Sequence, residues 1–230
     1  MTVAYRNIYR RFRTSTKNLK KACQAFGKTK VFCIGRNKTG TTSLAKGLYE
    51  LGFITCNQLE PKLLIEDWAK RDFRRILQFC KTAEAFHDQP FSLPFTFQIL
   101  DYAYPRSKFI LTVRDDPDQW YQSVTRYMAK RYGGGKLPTI VDLKKANYIN
   151  PGWIARTYPL AHGVPEDDLF NKDILIKHYC QHNEFIMNYF RYRPEDLLVI
   201  NVSKHGAWQE LCRFLERDSD RNEFLWENKT

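Results

Sequence analysis

The first carboxylate of this chain is Glu50, so residues 1–49 contain no acid at all against 12 Lys and Arg. The 230 residues carry 37 Lys plus Arg and 25 Asp plus Glu, a formal net charge of +12. All of that excess therefore lies in the first fifth, and the rest balances. A basic end suits nucleic acid, an anionic membrane or an acidic ligand, and equally a solvated arm. No apolar run is long enough for a membrane helix. The basic N-terminus has no apolar segment behind it, which argues against a secretory signal. No CxxC pair occurs, and the six cysteines (23, 33, 56, 80, 180 and 212) are too scattered for a zinc site. Buried, reduced thiols and a cytoplasmic location are expected. His178 and His182 stand four apart but read HYCQH, without the Glu of a metalloprotease helix. No metal site is expected.

What is present is an alternation of short strands and amphipathic helices. Residues 1–29 read as a basic, partly helical arm, and 30–230 as one domain. Lys30–Gly35 (KVFCIG) reads as a buried strand, and Thr41–Leu51 as a helix with Leu44, Leu48 and Leu51 on one side. Residues 52–56 return to strand. Residues 62–80 read as one helix, 84–88 as a short strand stopped by Pro90, and 96–103 as a helix. Lys108–Val113 (KFILTV) is the clearest strand. Pro117–Arg131 follows as a helix with Pro at its first position. Residues 133–170, rich in Gly, Pro and aromatics, read as an irregular insertion. Residues 171–191 form a long helix, 196–201 a strand and 207–216 a helix. The pattern predicts an α/β fold of three layers, with a mainly parallel central sheet flanked by helices. Ligands of such sheets bind at the carboxyl ends of the strands.

The first strand ends in Gly35 and leads through Arg36-Asn37-Lys38-Thr39-Gly40-Thr41-Thr42-Ser43 into a helix. A glycine-bounded loop at a helix N-terminus offers backbone N–H groups and a positive dipole end. Lys38 adds a charge and the successive hydroxyls add donors. This chemistry suits a phosphate-like anion. It is not a Walker A loop, because Lys38 precedes Gly40 by two residues instead of following the last Gly. An ordinary turn with Thr41 or Thr42 as a helix cap would explain one hydroxyl only.

RNKTGTTSL resembles the 5′-phosphosulfate-binding loop of sulfotransferases, enzymes that use 3′-phosphoadenosine 5′-phosphosulfate (PAPS) and release adenosine 3′,5′-bisphosphate (PAP). The resemblance extends over about residues 30–230, and its C-terminal part is similar to a bacterial-type subfamily. It implies a P-loop-like sulfotransferase fold. It implies that Lys38 stabilises the leaving phosphate and that Thr39, Gly40, Thr41, Thr42 and Ser43 bind the 5′-phosphate; Lys38 and Arg36, which belongs to or borders the same loop, are also expected to be cofactor-binding. The family's 3′-phosphate motif is a strand ending in Arg and a helix carrying Ser, matched here by Arg114 and Ser123. Ser123 lies one residue later than is usual, and the pair Asp115-Asp116 accounts for the extra residue. The base is expected in Ala85-Phe86-His87-Asp88-Gln89-Pro90. Register from Pro90 favours Asp88, whereas ordinary titration favours His87. The RKGxxGDWKN segment of the cytosolic enzymes is missing. Arg213, Arg217 and Arg221 are candidate replacements or a solvated face.

The expected activity is transfer of a sulfuryl group from PAPS to a hydroxyl or amine of a small-molecule or saccharide acceptor, with no metal. Tyr and Trp of residues 120–160 (Trp120, Tyr121, Tyr127, Tyr132, Tyr148, Trp153, Tyr158) offer an aromatic acceptor pocket. No nucleic acid is required. Residues 6–30 could meet an anionic surface. Two other readings stay open: a magnesium-dependent P-loop kinase, and a noncatalytic nucleotide- or polyanion-binding protein.

Overall fold

The computed structural model describes residues 20–224. The expectations for residues 1–19 and for the last six lie outside that range. A helix, α1, is described over 20–25. Strand β1 (Val31–Cys33) pairs in parallel with both β2 (Ala85–Phe86) and β3 (Lys108–Thr112), and β3 pairs in parallel with β4 (Leu197–Ile200). The sheet order is β2-β1-β3-β4.

Side chains alternate across a strand, so β1 feeds two cores. Phe32 and Ile34 join Phe86, Phe109 and Leu111 on one face, covered by α5 (Thr96–Ala103) and the end of α9 (Lys172–Tyr189). Val31 and Cys33 join Ala85, Ile110, Leu198 and Ile200 on the other. That face is covered by Leu44 and Leu48 of α2 (Thr41–Glu50) and by Trp208 and Leu211 of α10 (Ala207–Leu215). Both faces are buried, which is why β1 and β3 read as continuous apolar runs. The three-layer α/β expectation holds.

Three local expectations change. Residues 52–56 make a single bridge, Thr55 to Ala85, instead of a strand. The helix expected over 62–80 is broken into a 3-10 turn (Pro61–Leu64), α3 (Ile65–Ala69), α4 (Arg74–Phe79) and a closing 3-10 turn. Arg71 adopts φ +59°, and Asp72 accepts the Arg74 N–H and so starts the next helix. Third, the region 133–170 is not irregular. It contains α7 (Ile140–Lys145) and α8 (Trp153–His162). Thr139 and Asp142 form a reciprocal capping box at the start of α7. Gly152 opens α8 and Pro159 lies inside it, which hid the helix in the composition. Leu143, Ala155 and Tyr158 pack with Trp120, Val124 and Met128 of α6 (Pro117–Tyr132) into a third core.

Among the described residues no helix is long and apolar enough to cross a membrane. Cys33, Cys56 and Cys80 are buried, and all six cysteines are free. Burial pushes all three buried thiols up, Cys56 to about 12.

Candidate active site

The loop after β1 is held by close approaches. A Cβ on Gly35 would lie 2.2 Å from the Thr112 hydroxyl and 2.5 Å from the Thr112 nitrogen, so only glycine lets this turn cross β3. Gly40 has φ +95°, and a Cβ there would meet Val202 at 2.3 Å. Lys38 also stands in the left-handed region, at φ +69°. The Thr39 hydroxyl is fully buried and bonds the Arg36 carbonyl and the Thr112 hydroxyl. The Asn37 carbonyl accepts from the Trp120 indole at 3.0 Å and the Lys38 carbonyl from Arg114 Nε at 2.8 Å. Three successive carbonyls are thus occupied by donors, and exposed carbonyl oxygens are what an anion would have to avoid. No side chain caps the first turn of α2, whose first three residues line the cavity beside it. The positive end of the helix dipole therefore faces that cavity.

The cavity has a volume of about 620 Å³, within the range of small-molecule sites. Of the candidate residues it is lined by Lys38, Gly40, Thr41, Thr42, Ser43, Asp88 and Arg114. The side chains of Arg36, Thr39, His87 and Ser123 do not line it, and each has a different environment.

Arg36, expected among the cofactor-binding residues, has its side chain turned away from the cavity. Its guanidinium is only 1% exposed and turns into the protein, bonding the carbonyls of Ser92 and Ala161 and contacting His162 Nδ1 at 3.2 Å. It ties β1 to α8 and offers no ligand contact. Burial pulls it down to about 10, against the opposing influence of Tyr158 and Asp88. Thr39 holds the loop instead of a ligand. His87 points to the other side of the strand end, with Nδ1 4.0 Å from Cys56 Sγ. Burial lowers its pKa, more than neighbouring Asp88 raises it. Ser123 is buried next to the lining residue Val124, and its hydroxyl has no partner among the described residues.

Lys38 and Arg114 approach each other with no carboxylate between them. Each is lowered first by burial, and Lys38 further by the Arg114 charge. The nearby acids are engaged elsewhere: Asp115 pairs with Lys204 at 2.7 Å and Asp118 with Lys172 at 2.5 Å. Asp116 caps α6 by accepting the Gln119 N–H. Tyr179 and Asp115 oppose the effect of burial on Arg114, but neither cation has an ion-pair partner among the described residues, and a bound anion would supply one.

At the other end, Asp88 is the one carboxylate among the described residues that line the cavity. It stands at φ +67°. Its Oδ2 pairs with Lys62 Nζ at 2.8 Å, and its Oδ1 accepts the Gln89 N–H at 2.8 Å. Lys62 also donates to the Tyr148 hydroxyl at 3.0 Å. Burial alone would lower the Lys62 ammonium. The Asp88 charge, its hydrogen bond and Tyr148 together hold it above the ordinary lysine range. Lys62 gave no signal in the sequence, because it lies in a short turn remote from every motif. Of the aromatic candidates, Tyr127, Tyr132, Tyr148, Trp153 and Tyr158 line the cavity, while Trp120 instead braces the loop. Tyr121 is not a lining residue; its hydroxyl bonds the Phe170 carbonyl.

His182 bonds the Ile34 carbonyl at 2.9 Å through Nε2 and stabilises the strand end. Arg213, Arg217 and Arg221 line a separate pocket of about 320 Å³ beside α10. The main cavity therefore draws on none of them. A family model described as a sulfotransferase domain matches residues 30–230. No curated protein matches the chain.

Proposed function

The chain belongs to the sulfotransferase-domain family, and from that premise we propose that it moves a sulfuryl group from PAPS to an acceptor hydroxyl or amine. When bound, PAPS supplies an activated sulfuryl group and a phosphate leaving group for in-line displacement. The observation that carries this reading is the pair of partly buried cations, Lys38 and Arg114, without an ion-pair partner among the described residues and beside the start of α2, whose N-cap Gly40 has no side chain to cap it. The first turn of α2, with Thr41, Thr42 and Ser43, suits the 5′ side of the nucleotide. Arg114 suits the 3′-phosphate, and the unsatisfied Ser123 hydroxyl near it fits a site completed by an oxyanion.

Lys38 holds positive charge where negative charge grows on the departing oxygen, and preorganised charge of this kind acts mainly on the transition state. Asp88 Oδ takes the acceptor proton. His87 lies behind the wall and keeps the strand end packed. The buried, unpaired thiols suit a reducing compartment, so a cytoplasmic location belongs to the same proposal.

Calorimetry tests the reading. PAP is expected to bind at micromolar concentration without metal, and Lys38→Ala and Arg114→Ala are expected to abolish that binding. Binding of ATP with Mg²⁺ but not of PAP would replace the reading with a kinase. Binding of neither, with salt-sensitive retention of polyanions, would replace it with a noncatalytic role.

A further inference from the structure

Cations without an ion-pair partner line the cavity beyond Lys38 and Arg114 as well, and these further ones bear on the acceptor. Helix α6 runs from the Arg114 end, past Ser123, to Tyr127, Lys130, Arg131 and Tyr132, which all line the cavity except Ser123. Tyr127 and Tyr132 lie with Tyr148, whose hydroxyl accepts from the Lys62 that pairs with the proposed base, and the exposed Lys130 and Arg131 follow on the same helix. Tyr127 and Tyr132 are 6.4 Å apart, both respond to Tyr148 and Arg131, and Tyr127 also responds to Lys62. Lys38 Nζ sits 4.3 Å from the Tyr127 ring, so this cluster begins at the transfer point. Lys62 and Asp88 cancel each other at 2.8 Å. Lys130 and Arg131 remain. Among the described residues neither has a carboxylate partner, and no other acid lines the cavity.

We propose that the acceptor is a small hydroxyl compound bearing a negative charge of its own, a carboxylate held by Lys130 and Arg131. This inference rests on the sulfotransferase reading and sharpens its acceptor. The argument is one of electrostatic complementarity. A cationic acceptor would face Lys130 and Arg131 while the single carboxylate is already engaged by Lys62. An anionic acceptor meets two cations without losing an existing pair. The aromatic wall of Tyr127, Tyr132 and Tyr148 accommodates a ring between the charged tail and the reacting hydroxyl.

A matched trio of phenols tests this on the full chain loaded with PAP. The probes are 4-hydroxyphenylacetate, tyrosol and tyramine, with anionic, neutral and cationic tails on one ring. Calorimetry is expected to rank them in that order, with the anion about tenfold tighter than the cation at low salt. Added salt is expected to shrink the difference. In the double variant Lys130→Glu/Arg131→Glu the order is expected to reverse, with tyrosol as the internal reference for a folded site. Equal affinities, a preference for tyramine, or no binding of any probe to the PAP-loaded enzyme would overturn the inference. If PAP itself fails to bind, it is the sulfotransferase reading that falls, so the two failures are distinguishable.

Discussion

The proposed donor end and the proposed acceptor end of the cavity are built by opposite means. At the donor end most of the work is done by backbone: two glycines, an uncapped helix start, and three carbonyls occupied by side chains from elsewhere. Its cations make no ion pair among the described residues, since the adjacent Asp115 is paired with Lys204. At the acceptor end side chains do the work, with a lysine–carboxylate pair bridged to a tyrosine hydroxyl. The first end is incomplete without an anion, whereas at the second Lys62 and Asp88 satisfy each other and only the exposed Lys130 and Arg131 are left over. A preformed anion cradle suits a fixed, highly charged nucleotide. A wall of side chains from several elements can be changed without disturbing that cradle.

The comparison breaks most directly at Gly40. Gly40→Ala forces a Cβ onto Val202 at 2.3 Å while keeping φ at +95°, so the loop must move. PAP affinity is expected to fall by at least about a hundredfold, the loss of more than one charge-assisted contact. Calorimetry reads this directly. If affinity survives, the cradle is not the backbone structure described above.

Next in size is the pair at the other end. Lys62→Met leaves the Asp88 carboxylate enclosed without its cation. It is expected to lower stability by about 2–4 kcal/mol in urea titrations. Lys62→Met/Asp88→Asn should recover much of that loss, because both charges are then gone. PAP affinity is expected to stay within about threefold, since Lys62 lies with the acceptor groups. A large loss of PAP affinity in Lys62→Met would merge the two ends into one unit.

The wall between the ends carries a pH dependence. His162 and His182 are buried near Arg36, and partly buried His178 joins them. Burial first, and the Arg36 charge second, hold all three below the ordinary histidine range, His178 and His182 at about 3. Their folded forms stay neutral while the unfolded chain takes up protons below about pH 6.5. Stability is therefore full above that pH and falls as pH drops toward 3. The slope approaches about 1.4 kcal/mol per pH unit for each fully buried histidine. Urea midpoints at pH 7.5 and 5.5 measure it, and His182→Gln should flatten it. A midpoint that does not change with pH would remove these histidines from the wall.

The same contrast explains what could be read in the sequence. That Lys38, Gly40 to Ser43 and Arg114 share one cavity was legible because each motif is local: a strand, a turn and a helix start close together in the chain. Asp88 was legible as one of two neighbours, and the strand's alternation separated it from His87. Lys62 was not, because its partners are 26 and 86 residues away, and only the folded chain brings Pro61–Leu64 to Asp88 and Tyr148. Arg36 misled for a related reason. Adjacent to the loop in sequence, it lies on the side of the strand end that faces Ser92 and Ala161. Helices α7 and α8 were hidden because Gly152 and Pro159 look like turn residues, although one opens a helix and the other is tolerated inside it. The capping box at Thr139 and Asp142 marks the start of α7 within the sequence itself.

The smallest expected effect is the most discriminating for the boundary between the two ends. The Ser123 hydroxyl is buried without a partner among the described residues, so Ser123→Ala removes an unsatisfied group instead of a hydrogen bond. Thermal and urea stability of the ligand-free protein should change by no more than about 0.5 kcal/mol, or rise slightly, because an orphaned hydroxyl is a cost that alanine removes. PAP affinity should respond in the opposite direction. If the hydroxyl completes the 3′-phosphate site with Arg114, its removal weakens PAP by about three- to tenfold, the size of one hydrogen bond to a charged group. Adenosine 5′-phosphate, which lacks the 3′-phosphate, should bind the variant and the parent equally. A loss shared by both nucleotides would mean that Ser123 acts through the packing of Val124 and α6. A loss confined to PAP would place the hydroxyl at the donor end, even though the cavity wall covers it when no ligand is bound.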